Sequence, residues 1–165
     1  MFSEEEDSEN YFESNLREDL EIFEYYLKSG VICFLDSDRL EALIDHYLIT
    51  NQYSKAKKCA EHALQHFSFN ISLKLRLAQS MGAIGQLKEA LGVLSDIEKT
   101  EIPSFEVVLT KASIFSQLRD SKNAIKYFKE SLSLCEPEDK DEIFLDLAME
   151  YENLMNRCLD QDPER

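Results

Sequence analysis

Three segments of the chain align with one another without gaps, and each of them is 34 residues long. The segments are residues 37–70, 71–104 and 105–138. The alignment is anchored by Ala56, Ala90 and Ala124, each of which lies 34 residues from the next. An internal period of this length is typical of proteins built from stacked structural units, in which each unit buries a face against its neighbour.

Each segment has apolar residues at helical spacing on both sides of a short polar turn. The turns are Asn51-Gln52, Gly85-Gln86 and Arg119-Asp120. Small residues such as Ala78 and Ala112 allow two helix backbones to approach closely. Large residues such as Tyr47 and Phe128 fill the space between neighbouring pairs of helices. Each segment therefore predicts a helical hairpin.

Pro103 and Pro137 occupy the same place in consecutive segments, where one helix has to end before the next begins. Together with the period and the small positions, they make residues 37–138 similar to the tetratricopeptide repeat family. The tryptophan that is usual near the start of the family's first helix is replaced by Leu40, Lys74 and Val108. The resemblance implies an all-α fold, an α-solenoid of three stacked helical hairpins.

The two flanks each predict one further helix. Residues 9–29 have an apolar stripe that Gly30 ends, and Asp36 or Ser37 is expected to cap the first repeat helix after an irregular stretch. The stripe consists of Phe12, Leu16, Leu20, Phe23 and Leu27. We therefore assign residues 1–36 to an acidic N-terminal helix and linker, and residues 37–138 to the repeats.

Residues 139–165 are assigned to a C-terminal helix with an acidic tail. The helix is predicted over residues 139–158, where a fourth repeat would begin, and it is either a cap or part of a longer array. Its apolar face is predicted to contain Ile143, Phe144, Leu147, Tyr151 and Leu154.

The net charge of −15 is concentrated at the two ends of the chain. Residues 1–30 have ten acidic residues against two basic ones, residues 136–165 have eleven against three, and the middle is balanced at twelve against thirteen. A nucleic-acid or anionic membrane partner requires a basic surface, so this distribution disfavours both. The longest apolar run, Val31 to Leu35, is too short to cross a bilayer.

No motif of a catalytic, cofactor or metal site is present in the sequence. His62 and His66 are four residues apart, but without an obvious third ligand they are expected to be polar surface residues. Four cysteines are scattered singly, at positions 33, 59, 135 and 158, and are expected to be reduced core thiols. The sequence thus predicts a cytoplasmic protein that is not an enzyme and has no cofactor.

The family resemblance implies that the first helices of the hairpins line a concave groove. Its partner-binding positions would be Asp38, Glu41, Asp45 and Leu48, then Ser72, Leu75, Arg76 and Gln79, then Glu106, Leu109, Ser113 and Ser116. Such a groove would be acidic at one end and apolar around Leu75 and Leu109. It would suit a protein or peptide partner with apolar anchors and a basic end.

The resemblance also excludes one kind of partner. Family members that bind the acidic tails of heat-shock chaperones have a mainly basic set of groove residues, whereas the matching residues here are Glu41, Asp45, Arg76, Glu106 and Thr110. The leading interpretation is an adaptor or scaffold that binds a peptide in the groove. The alternatives are a secretion-type chaperone, or a fragment of a longer array that self-associates, for example as a homodimer in which the N-terminal helix docks on a neighbour's groove.

Overall fold

The computed structural model describes residues 3–160 of the chain and the side chains of residues 15–159, so the predicted position of Phe12 lies outside the described side chains. Within this range the regular structure is helical, and no strand is present. The helices are α1 (Ser3–Ser29), α2 (Ser37–Ile49), α3 (Tyr53–His66), α4 (Ile71–Ala83), α5 (Leu87–Glu98), α6 (Phe105–Gln117), α7 (Ser121–Leu134) and α8 (Lys140–Asp160), with a 3₁₀ turn over Pro137–Asp139. The chain divides into two compact units, Met1–Ile84 and Gly85–Arg165.

The 34-residue period recurs in the caps that start α2, α4 and α6. Each of these helices begins after a residue whose side chain accepts a hydrogen bond from the backbone N–H three residues later, which satisfies one of the free amides of the first turn. The capping residues are Asp36, Asn70 and Ser104, with N···O distances of 2.9, 3.0 and 3.4 Å. The predicted cap at Asp36 is therefore confirmed.

The same period recurs in the turns between paired helices. Asn51, Gly85 and Arg119 have φ values of 58°, 82° and 58°, in the left-handed region, and they follow α2, α4 and α6 respectively. A left-handed residue is a common way to end a helix, because it reverses the chain while the last carbonyls still find donors. Gly30, with φ of 71°, ends α1 in the same way, as the sequence predicts.

The first unit contains α1 to α4. In this unit α3 packs against both α2 and α4, and α1 packs against α2. Its fully buried side chains include Phe23, Leu40, Leu43, Ile44, Tyr47, Cys59 and Leu73. The small residues Ala56, Ala60 and Ala63 on α3 are also fully buried, which allows the neighbouring backbones to approach closely.

The second unit contains α5 to α8. Here α6 packs against α5 and α7, and α7 packs against α8. One buried cluster joins the last three helices through Ala112, Ala124, Ile125, Phe128, Ile143 and Leu147. Ala112 and Ala124 are fully buried where α6 and α7 meet, so the small residues lie at a close helix contact, as the sequence predicts.

Three sequence-based expectations about individual side chains are wrong. His62 is 5% exposed rather than on the surface, because α1 and the following linker cover that face of α3. Phe144 and Tyr151 are 54% and 43% exposed, whereas Glu150 on the same helix is buried. Cys158 is an exposed thiol rather than a core one.

Candidate functional site: an acidic cleft in the first unit

A cleft of about 390 Å³ opens in the first unit beside α2. We call it the acidic cleft, and its lining residues are Leu16, Asp38, Glu41, Ala42, Asp45, His46, Ile49 and Arg76. The first comes from α1, the next six from α2 and the last from α4. Four of the predicted groove residues, Asp38, Glu41, Asp45 and Arg76, are thus brought together here.

The sequence of α2 explains why this side of the helix is available. Leu40, Leu43, Ile44 and Tyr47 are buried and hold one face of α2 in the core. Asp38, Glu41, Asp45 and Ile49 recur every three or four residues, so they share another face, which lines the acidic cleft.

Arg76 organises the acidic groups at the centre of the cleft. Its Nε and Nη2 atoms each donate to a carboxylate oxygen of Asp45 at 2.7 Å, a bidentate arrangement. Its Nη1 atom also lies 3.3 Å from Oε2 of Glu41 and donates to the Ser72 hydroxyl. One guanidinium therefore serves two carboxylates and fixes α4 against α2.

The acidic cleft keeps a negative balance after this pairing. Asp38, Glu41 and Asp45 supply three carboxylates against the single guanidinium of Arg76. Glu41 also accepts hydrogen bonds from Ser72 Oγ at 2.8 Å and from Asn70 Nδ2 at 3.3 Å, so its side chain is held in place. Asp38 is exposed and accepts a hydrogen bond from Ser37 Oγ at 3.2 Å. Asp38 is therefore the carboxylate best placed to meet a cationic ligand.

The cleft is apolar at its other end. Ile49, at the last residue of α2, is 81% exposed, and Leu16 on α1 is half-buried. Ile49 lies eleven positions after Asp38, which corresponds to about 16 Å along a helix at ~1.5 Å per residue. The cleft therefore presents a negative group and an apolar group at a defined spacing.

A second cleft, of about 400 Å³, adjoins the first and shares Leu16, Asp38 and Ala42 with it. Asn15, Glu18, Asp19 and Arg39 complete its lining. Asp19 is buried and accepts hydrogen bonds from Arg39, including one from Nε at 3.0 Å. Because the cationic group here is also paired with a carboxylate, the two clefts form one mostly acidic surface between α1 and α2.

The remaining predicted residues of the first unit do not line the acidic cleft. Leu75 is only 5% exposed, so the expectation that it offers an apolar anchor to a partner is wrong. Leu73, Leu75 and Leu77 are all buried, so the core covers more than one side of α4. Leu48 and Gln79 are half-buried, outside the cleft lining.

In the second unit, the predicted residues on α6 mostly engage neighbouring atoms of the same unit. Ser113 Oγ donates to the Leu109 carbonyl at 3.1 Å, and Leu109 packs partly against the buried cluster. Ser116 Oγ donates to Oε1 of Glu150 on α8 at 2.5 Å. Glu106 is exposed at the start of α6. Apart from Glu106, these side chains therefore already have partners within the second unit, and the acidic cleft is the better candidate for a binding site.

Helix α1 is held beside the cleft by polar contacts with α2 and α3 as well as by its apolar side chains. Lys55 Nζ and Tyr47 Oη both donate to Oε1 of Glu24, the latter at 3.3 Å. The hydrogen bond from Lys55 is the main reason why the pKa of Glu24 is lowered. His62 Nε2 lies 3.2 Å from the Cys33 carbonyl oxygen, and its ring contacts Tyr26 with centroids 4.5 Å apart.

The two buried thiols of the first unit have raised pKa values. Burial raises the pKa of the Cys59 thiol, and burial followed by the charge of Asp19 raises the pKa of the Cys33 thiol. Both thiols are thereby disfavoured as thiolate nucleophiles. Among the described residues, no group of three or more His, Cys, Asp or Glu side chains could hold a metal ion.

Sequence reasoning missed four lining residues of the acidic cleft: Leu16, Ala42, His46 and Ile49. The sequence predicts Leu16 only as part of the stripe that packs α1 onto the core. The other three, Ala42, His46 and Ile49, adjoin the acidic face of α2 at helical spacing. Extending the predicted face along the helix would therefore have identified them. The contribution of α1 depends on its docking angle, which periodicity does not encode.

Comparisons with known proteins agree with this architecture. Residues 105–137 match the family model of the tetratricopeptide repeat. A solved structure of MamA (AMB-1), a protein that contains such repeats, has a TM-score of 0.62, at 16% sequence identity and covering 86% of each chain. No match was found among curated proteins. These findings confirm the predicted all-α, solenoid-type repeat fold: the chain carries a tetratricopeptide repeat at residues 105–137 and has the fold of a tetratricopeptide-repeat protein.

Proposed function

We propose that this protein is an adaptor or scaffold that binds a segment of another protein in the acidic cleft. Proteins of the tetratricopeptide repeat family are generally non-catalytic interaction modules, which supports the general part of the proposal. The observation that carries the specific part is the pairing on α2 of an exposed carboxylate, Asp38, with an exposed apolar side chain, Ile49.

The spacing of these two groups describes the partner. A separation of about 16 Å corresponds to roughly five residues of an extended peptide at ~3.3 Å per residue. The proposed ligand is therefore a segment with a lysine or arginine about five residues from a large apolar side chain. If the segment is helical, the same span takes about eleven residues.

An acidic ligand would fit the same cleft poorly, because the positive charge of Arg76 is already paired. Its guanidinium is already engaged by Asp45 and Glu41, and its side chain is 20% exposed. An incoming carboxylate would meet the negative charges of Asp38 and Glu41 as well. Since like charges brought together oppose binding, a basic segment is preferred over an acidic chaperone tail.

We also propose that the protein works in the reducing environment of the cytoplasm. Cys33, Cys59, Cys135 and Cys158 are all free. Free thiols are usual in cytosolic proteins and less so in oxidising compartments. No helix within residues 3–160 is long and apolar enough to cross a membrane.

Capture of partners from a cell lysate, read by mass spectrometry, tests the proposed site. Ile49→Lys places a positive charge at the apolar end of the cleft, and Asp38→Lys reverses the charge at the acidic end. Ile102→Lys is the matched control, since Ile102 is 92% exposed in the connection between α5 and α6. We expect a partner that is captured by the wild type and the control and lost with both cleft variants.

The two cleft variants also separate the parts of the proposal. Loss of capture with Asp38→Lys alone would indicate a basic ligand without an apolar anchor. A partner retained by both cleft variants would show that the binding surface lies elsewhere and would overturn the assignment of the acidic cleft. Binding through the carboxylates should also weaken as the salt concentration rises.

A further inference from the structure

Helix α8 exposes a continuous apolar stripe along about four turns. The stripe consists of Phe144, Ala148, Tyr151, Met155, Cys158 and Leu159, all of them exposed. The four largest side chains are substantially open to solvent, with exposed fractions of 54% for Phe144, 43% for Tyr151, 65% for Met155 and 56% for Leu159. Surface apolar residues are normally scattered singly, so a contiguous stripe of this kind indicates an interaction surface.

The stripe is distinct from the face by which α8 is anchored in the second unit. Ile143 and Leu147 are buried in the cluster formed with α6 and α7, and Leu154 packs against its edge. Arg157 donates to the Arg119 carbonyl and to Ser121 Oγ at 2.7 Å. Since these contacts already hold α8 in place, the exposed stripe is not required to attach the helix.

Successive positions of the stripe are four, three, four and three residues apart from Phe144 to Cys158. This alternation is the heptad spacing of helices that pair along a seam. The stripe itself has no charged side chain, although Asp141, Glu142, Asp146, Glu150 and Glu152 make the rest of α8 acidic. Between Phe144 and Met155, a second α8 can therefore meet this surface without bringing carboxylates into the seam.

We propose that the stripe of α8 pairs with the same stripe of a second copy of the chain, with the two helices antiparallel. In this arrangement Ala148 faces Tyr151 of the other copy, and Phe144 faces Met155. A small residue then lies opposite a large one, and a thioether lies against an aromatic ring, which is a favourable contact. A parallel pair would place Ala148 against its own equivalent and leave a gap beside the paired tyrosines.

The size of the stripe is sufficient for a weak dimer. Phe144, Tyr151 and Met155 each expose about half of the side chain, so a single pair of these helices lies at or below the lower limit of specific protein interfaces, about 1,200 Å² in total. Interfaces of this size are typical of weak, transient association, so a dissociation constant on the order of micromolar or weaker is expected. This proposal does not depend on the function assigned to the acidic cleft.

Sedimentation velocity of the full chain between about 1 and 200 µM, which brackets a micromolar constant, tests the pairing. We expect a concentration-dependent monomer–dimer equilibrium for the wild type. Met155→Glu introduces a charge in the seam and should shift the dissociation constant upward at least tenfold. Met149→Glu is the matched control, because Met149 is 54% exposed on the same helix but outside the stripe, and its dimer should match the wild type.

Three outcomes would overturn the proposal. If the wild-type chain stays monomeric across this range, the stripe does not pair with a second copy. The surface would then bind another protein or a further helix. A dimer unaffected by Met155→Glu, with unchanged helical circular dichroism, assembles through another surface. If mild oxidation links the dimer covalently and Cys158→Ser prevents the link, the two helices are parallel. In the antiparallel pair the two Cys158 thiols are too far apart to form a disulfide.

Discussion

Replacing Phe23 with alanine tests whether α1 is an integral part of the first unit. Phe23 is fully buried, and its ring lies 6.2 Å from the ring of Tyr47 and 6.1 Å from that of His62, centroid to centroid. Tyr26 on the same helix is a third aromatic neighbour, at 5.5 Å. Removing the ring leaves a cavity among these three side chains and loosens the wall that α1 contributes to the acidic cleft.

The expected cost follows from the burial of this side chain. Buried Phe→Ala substitutions destabilise proteins by about 3–5 kcal/mol. This cost is the sum of the free energy of transferring the ring from water to the core, which is lost, and the cost of the cavity that remains. Since Phe23 lies on a flanking helix that can shift inward and partly refill the space, the lower part of that range, about 3 kcal/mol, is expected. For a chain of this size, this corresponds to a fall in Tm of roughly 6–12 °C.

Urea unfolding followed by circular dichroism at 222 nm measures this free energy, with Tyr25→Ala as the control. Tyr25 lies two residues after Phe23 on the same helix but is 60% exposed, so its loss should change the free energy of unfolding by less than about 0.5 kcal/mol. If Phe23→Ala and Tyr25→Ala have equal unfolding midpoints, α1 is not packed on the core as described. In that case its contribution to the acidic cleft has to be abandoned as well.

Four further substitutions probe other parts of the structure. Ala124→Leu should overpack the close contact of α6 and α7 and destabilise the protein by about 1–3 kcal/mol; an unchanged urea midpoint would contradict that contact. Arg76→Met leaves two carboxylates of the acidic cleft unpaired and should cost about 1 kcal/mol at low salt, less at high salt, in the same assay. Glu24 has a lowered pKa in the folded state, mainly through its hydrogen bond with Lys55, so it stabilises the fold above its unfolded pKa and this contribution is lost as the pH falls through the folded value. Glu24→Gln should therefore flatten the acid limb of a Tm–pH profile, and an unchanged limb would refute the ion pair. Burial, then the charges of neighbouring carboxylates, raises the pKa of Asp146, so its ionisation opposes folding; Asp146→Asn should raise the Tm at pH 7 but have little effect below the ordinary pKa of an aspartate.

The sequence was sufficient to predict the helices and their order, because the signals that set them are local. Asp36, Asn70 and Ser104 cap helices at intervals of 34 residues. The left-handed turn residues Asn51 and Arg119 are also separated by twice that interval. Caps and turns depend on the conformation of a few neighbouring residues, so a repeat in the sequence becomes a repeat in the backbone without reference to distant contacts.

The site was only partly predictable, because it depends on how helices dock. The acidic face of α2 follows from the spacing of Asp38, Glu41 and Asp45. The contribution of α1 to the apolar end of the cleft does not, since Leu16 reaches it only through the placement of α1. The expected anchor Leu75 is buried for a related reason: a helix enclosed on several sides has a wider buried arc than a single apolar stripe indicates.

The C-terminal helix shows what periodicity alone cannot resolve. The sequence places Ile143, Phe144, Leu147 and Tyr151 in one apolar face, but the structure divides them between a buried face and an exposed one. Glu150 lies with the buried group, where Oε1 accepts a hydrogen bond from Ser116 while Oε2 has no partner among the described residues. A helix that only capped the preceding hairpin would need one apolar face and would carry polar residues elsewhere, as terminal repeats generally do. α8 instead carries a second apolar face at heptad spacing, and under the proposed pairing this face is covered by the α8 of a second copy.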